Sequence, residues 1–114
     1  MKIVNKNNNN ILADNAVLAN TPLSRMVGLL GKEKLCNGQA LILDPCNSIH
    51  TFFMRFPIDV LFLDKNNRVV KAVYSVKAFR LTPIYFRAKL AVELPPGTII
   101  ATSTQEGNIL SFIN

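Results

Sequence analysis

Ile58-Asp59-Val60-Leu61-Phe62-Leu63 is entered through Pro57 and followed by the turn Asp64-Lys65-Asn66-Asn67-Arg68 and a long run starting at Val69, an order of residues that writes out a β-hairpin. β-Branched and aromatic side chains suit a pleated, half-buried surface, and an Asp/Asn-rich turn between two such runs reverses the chain. In the second run Val70, Ala72, Tyr74, Val76 and Ala78 fall on one face and Lys71, Ser75 and Lys77 on the other, the period of two of a half-buried strand. In the first, Asp59 shares a face with Leu61 and Leu63 while Ile58, Val60 and Phe62 line the opposite one, so the acid has apolar neighbours whichever face is buried. An unpartnered buried carboxylate costs several kcal/mol, so the fold must give Asp59 a cation, several backbone N–H donors or a proton.

Outward from this hairpin the strand signals continue. Ala40-Leu41-Ile42-Leu43 is a short apolar run closed by Asp44-Pro45, residues 49–53 are rich in β-branched and aromatic types, and residues 88–94 end at Pro95-Pro96-Gly97. Residues 98–102, the turn Glu106-Gly107-Asn108 and residues 109–113 complete the series. Residues 7–10 are four consecutive asparagines between Ile3-Val4 and Ile11-Leu12, which suit a hairpin loop or a frayed terminus over residues 1–10. One helix is signalled at about residues 22–30. Thr21 can cap it, Pro22 fits its first turn, Gly31 stops it, and Leu23, Met26, Val27 and Leu30 recur on one face. Gly28 inside that span calls for close backbone packing. The expected fold is α+β: a single domain over residues 1–114, mainly antiparallel sheet curled into a small barrel or sandwich, with one short helix.

The chain has 114 residues, with 13 Lys+Arg against 7 Asp+Glu for a net charge of +6. That length supports a core without disulfide or metal staples. No apolar run reaches the roughly 18 residues of a membrane span, and the start Met1-Lys2-Ile3-Val4-Asn5-Lys6 leads into asparagines rather than the apolar stretch of an export signal. A cytoplasmic location and no membrane partner are therefore expected, with Cys36 and Cys46 as reduced thiols. Those two cysteines and the single histidine, His50, fall short of the four ligands of structural zinc, so no metal is expected. With five scattered glycines and no phosphate-cradling loop, no cofactor is expected either.

Two sets of residues could carry function. The first is His50, Thr51, Arg55 and Asp59, where a carboxylate held by Arg55 or His50 and a hydroxyl from Thr51 could line a small polar pocket; the alternative is a structural knot in which Asp59 ties down backbone N–H groups after Pro57. The second is basic. Lys65, Arg68, Lys71, Lys77, Arg80, Arg87 and Lys89 follow one another with no acid among them, and Lys71, Lys77, Arg80 and Arg87, with Tyr85 and Phe86 nearby, form a candidate basic face. The reading that follows is a non-enzymatic binding or accessory domain for a small or acidic ligand. Its rivals are a small hydrolase or transferase using Asp59 and His50, with Cys46 as a potential nucleophile, and a nucleic-acid-binding module, for which no helix-turn-helix, RNP-type or Gly-x-x-Gly pattern is present.

The block from Ser48 to Asp64, Ser-Ile-His-Thr-Phe-Phe-Met-Arg-Phe-Pro-Ile-Asp-Val-Leu-Phe-Leu-Asp, closely resembles the signature of the prokaryotic family known as domain of unknown function 192. Arg25-Met26-Val27-Gly28-Leu29-Leu30 is similar to that family's Arg-x-x-Gly-Leu-Met helix, Gln39-Ala40-Leu41-Ile42-Leu43 to its strand before the signature, and Ala91-Val92-Glu93-Leu94-Pro95-Pro96-Gly97 to its Leu-Glu-Leu-Pro-Ala-Gly turn. The likeness extends over residues 11–110. It implies a compact β-rich domain with a short helix, and no defined activity. His50, Thr51, Met54, Arg55, Pro57 and Asp59 fall on the signature without any of them receiving a catalytic role. Leu30 stands where the helix motif often has methionine, and residues 101–108 are more polar than the family's usual Gly-Asp ending. Many chains of this kind carry export signals, so the resemblance does not fix a location.

Overall fold

The hairpin forms where the sequence writes it. Ile58–Leu63 and Val69–Val76 pair antiparallel, and Asp64 closes the turn by accepting the Asn66 and Arg68 amides on Oδ1 at 2.8 and 3.0 Å. Those amides, Arg68 first, hold the Asp64 carboxyl below its ordinary pKa. The computed structural model describes residues 1–19, 35–51 and 56–114. Its elements are β1 (Lys2–Asn5), β2 (Ile11–Ala13), β3 (Asn15–Ala19), β4 (Gln39–Leu43), β5 (Ile58–Leu63), β6 (Val69–Val76), β7 (Leu90–Leu94), the single-turn helix α1 (Thr98–Ala101) and β8 (Leu110–Ile113). The helix expected at residues 22–30 lies outside the described residues.

The strands make a five-stranded sheet in the order β3-β4-β7-β5-β6 and a three-stranded sheet in the order β2-β1-β8. Apart from the parallel β3–β4 pair, neighbours run antiparallel. Every residue of β5 and β7 is buried, because these near-continuous apolar runs have a core on both sides. Between the sheets, Ile42, Leu61, Leu63, Val92 and Leu94 pack against Ile3, Leu12, Ile99 and Leu110. On the far side of the larger sheet, Leu41, Leu43, Val60, Phe62 and Ala91 pack against Leu35, Ile49 and Phe56. The result is one compact β-rich α+β domain of the sandwich type.

Two expectations change. Residues 98–101 form a helical turn rather than a strand, for a reason that lies in β5. The alternation along β6 does not persist: Ile58 opposes Val76 and Val60 opposes Val73, so Tyr74 and Ser75 stand against Asp59 alone. This bulge puts Ala72 in the core between the sheets and Val76 in the other, and Lys71 and Lys77 do not share one strand face. Of the two readings of residues 1–10, the hairpin loop is the one present, since β1 pairs antiparallel with β2. β1 is the central strand of its sheet and Ile3 is fully buried. The asparagines form a loop whose side chains are used: Asn8 and Asn10 each donate to the Thr102 carbonyl at 2.9 Å, and Asn7 Oδ1 accepts the Ile109 amide at 2.8 Å.

Candidate functional site

Asp59 is 1% exposed and faces the core between the sheets, alongside Leu61 and Leu63. Its Oδ1 accepts the amide of Ser75 at 2.9 Å and its Oδ2 the amide of Ile99 at 2.9 Å. Ser75 is the bulged residue, with φ 46°, and Ile99 is the second residue of α1, whose N-cap Gly97 has no side chain to offer. One carboxylate thus fastens a bulge and caps a helix, satisfying donors that the strand and helix ladders leave over. Of the three solutions open to a buried acid, the backbone-donor solution is the one present.

Thr51 works on the other side of the larger sheet, where residues 46–51 run against residues 77–89. The contacts are Cys46 N to Lys89 O at 2.8 Å, Tyr85 N to Asn47 O at 2.9 Å, Thr82 N to Ile49 O at 3.0 Å and Thr51 N to Arg80 O at 2.9 Å. Thr51 itself is fully buried. Its carbonyl accepts the Phe79 amide at 2.9 Å, its hydroxyl donates to the Lys77 carbonyl and accepts the Arg80 amide at 3.0 Å. This clamp holds Phe79 at φ 60°, a left-handed conformation that costs a bulky residue free energy unless its surroundings impose it. Removing only the hydroxyl, in Thr51→Val, is expected to lower stability by about 2 kcal/mol and to increase amide exchange at residues 79–80 first. An unchanged exchange pattern would refute the clamp.

The clamped segment presents an unusual surface. Phe79 is 70% exposed, Leu81 68%, Ile84 54% and Phe86 88%, and between and beside them Lys77, Arg80 and Arg87 are exposed. None of these three cations has an ion pair among the described residues, whereas Lys71 lies 4.0 Å from Glu106 and Lys89 3.3 Å from Asp44. The four-residue basic face expected from sequence therefore divides: Lys77, Arg80 and Arg87 lie on one segment, and Lys71 on β6 is turned towards Glu106. His50 is exposed and bridges to Leu81, at the border of the same surface. Arg55 lies outside the described residues.

The residue types of a Cys-His-Asp constellation are not assembled around Asp59. Its carboxyl is spent on two amides in the core between the sheets, while Cys46 packs with the cluster on the opposite face and its thiol donates to the Ser48 carbonyl at 3.1 Å. Among the described residues no three of His, Cys, Asp and Glu lie together as a metal site would require. Sequence reading passed over one acid, Glu93. It opposes Leu41 and Val60 on the two neighbouring strands, is 5% exposed, and burial pushes its carboxyl up to about 7. The signal was the one that exposed Asp59, an acid inside an apolar strand, here Leu90-Ala91-Val92-Glu93-Leu94.

Comparison with known proteins gives a consistent setting without an activity. A UPF0127 protein of Thermococcus kodakarensis is 33% identical over 83% of this chain, which spans 62% of that relative's length. A UPF0127 protein of Thermococcus gammatolerans is 29% identical over 96% of this chain and 74% of its own. A solved structure from Novosphingobium aromaticivorans, of unknown function, superposes with a TM-score of 0.84 at 14% identity, covering 97% of this chain and 82% of that one. One from Sinorhizobium meliloti, described as a candidate transcription regulator, does so with a TM-score of 0.81 at 16% identity, covering 96% and 89%. At such identities these two share the fold. With the DUF192 family, described as Uncharacterized ACR, matching residues 3–112, this chain belongs to the domain of unknown function 192 family.

Proposed function

We propose that the domain is a binding module without chemistry of its own, and that its contact surface for an acidic ligand is the outward side of residues 77–87. The observation that carries this is the exposure of Phe79, Leu81, Ile84 and Phe86 together with Lys77, Arg80 and Arg87 on a segment clamped in a strained conformation. Exposed apolar groups and strain both cost the free domain stability, and proteins keep such costs where they serve contact. The signature residue Thr51 then has a positioning part, and Asp59 an architectural one. A cytoplasmic setting suits this reading, with Cys36 and Cys46 outside any disulfide. The description of the Sinorhizobium structure would make nucleic acid the occupant, but that likeness carries only the fold.

The test is fluorescence anisotropy with labelled polyglutamate across a salt series. Lys77→Gln/Arg80→Gln/Arg87→Gln is compared with Lys2→Gln/Lys6→Gln/Lys65→Gln, which has the same net charge and alters only exposed lysines elsewhere. Loss of more than tenfold in affinity in the first triple variant alone is expected. Equal losses in both would show that general charge, and not this surface, attracts the ligand.

A further inference from the structure

The four apolar side chains are a property of the surface that an acidic ligand alone does not use. Phe86 at 88% exposed, Phe79 at 70% and Leu81 at 68% touch little of their own protein, so they protrude instead of lining a groove. A folded partner would need a matched recess for each of them, and a single-stranded nucleic acid stacks on aromatic rings but has no use for Leu81 and Ile84. A lipid interface accepts protruding aliphatic and aromatic groups without a pocket, and its anionic headgroups meet the cations beside them. The charges are arranged for that: Lys77, Arg80 and Arg87 are interleaved with the apolar residues, and no acid occurs from residue 65 to residue 89.

From this we infer that the acidic ligand of the proposed surface is a membrane containing anionic lipid, with Phe79, Leu81, Ile84 and Phe86 entering the headgroup boundary and Lys77, Arg80 and Arg87 at the phosphates. This rests on the reading of the surface given above. The contact is peripheral: no helix among the described residues is long and apolar enough to cross a bilayer. The expectation of no membrane partner came from the lack of a spanning segment, which a docked loop does not need. Ten further cations outside residues 77–87, among them Lys2, Lys6 and Lys65, add long-range attraction but no insertion.

The chain has no tryptophan, so Phe86→Trp supplies a single fluorescent reporter at a position whose side chain barely touches the fold. Expected is a blue-shifted emission and co-sedimentation with vesicles holding about a third phosphatidylglycerol in phosphatidylcholine, and little of either with phosphatidylcholine alone. In the same background Lys77→Gln/Arg80→Gln/Arg87→Gln should weaken vesicle binding roughly a hundredfold, from about fivefold per cation. Phe79→Ser/Leu81→Ser should abolish the blue shift while leaving binding to polyglutamate in place, with an unchanged unfolding midpoint showing that the fold is intact. An unshifted emission with anionic vesicles, while polyglutamate still binds through the three cations, would overturn the lipid inference and leave the acidic-ligand surface standing. Tighter binding to an oligothymidylate than to anionic vesicles would overturn it in favour of nucleic acid. Failure to bind vesicles, polyglutamate and oligothymidylate alike would remove both readings.

Discussion

Asp59→Ala is expected to lower the free energy of unfolding by about 3–5 kcal/mol and the thermal midpoint by on the order of 15 °C. The carboxylate is 1% exposed and each of its oxygens accepts an amide, part-buried at Ser75 and fully buried at Ile99, so alanine leaves both N–H groups without this partner and that of Ile99 in a place water does not reach. Asp59→Asn keeps one acceptor oxygen and turns an NH2 group towards the other donor, so about half of that loss is expected. The pattern of damage is as informative as its size. Amide exchange should rise at Ser75 and Ile99 and along α1 before it rises in β7, because α1 has only the Asp59 cap and its own single turn. An unchanged midpoint for Asp59→Ala would mean that the carboxylate is not a tie, and would return it to the candidates for ligand contact.

The same two amides explain which parts of the fold were legible in the sequence. β5 was read to the residue because its six positions are apolar except one, and the turn after it is built from Asp64, Asn66 and Asn67. The face of Asp59 was also legible, since alternation is a local property. Its partners were not: they come from residues 16 and 40 positions later, and one of them exists only because a bulge displaces Ser75. Thr98-Ile99-Ile100-Ala101 has the β-branched composition of a strand and becomes a helical turn because Asp59 supplies the cap that Gly97 lacks, a case of tertiary contact overriding propensity. β3 escaped notice for a related reason. Val17 and Leu18 are adjacent and both exposed, so the strand lacks the apolar alternation that would announce it. For the site, sequence identified the cations and Thr51 as candidates. It could not show that Thr51 clamps residues 77–80, because that pairing joins segments nearly thirty residues apart.

Glu93 gives the second large effect, with a sign opposite to that of a tied carboxylate. Burial raises its pKa from its ordinary value of 4.5 to about 7, and an acid whose folded pKa lies above its unfolded one favours the folded state most when protonated. Its contribution is therefore intact below about pH 4.5, declines as the pH rises through the window from 4.5 to 7, and above 7 leaves the full cost of burying a charge, about 3 kcal/mol at 1.36 kcal/mol per pH unit. Glu93→Gln keeps the shape and removes the titration. Urea unfolding of both proteins from pH 5 to pH 8 should give similar stabilities at the acid end and a variant more stable by about 2–3 kcal/mol at the alkaline end. Every other titrating group is common to both proteins and cancels in the difference. A wild-type stability that stays level with the variant, or exceeds it, at pH 8 would show that the ionised carboxylate is held by a cation and is not a buried, unpaired acid. That matters for the surface on the same side of the sheet, because the core cluster around Glu93's neighbour Val60 includes Ile49 and Tyr85, which anchor residues 77–89 through Thr82 and Asn47. A Glu93 that ionises near neutral pH would loosen the backing of the proposed contact surface as the pH rises, whereas a Glu93 paired with a cation would leave that backing equally firm at pH 5 and pH 8.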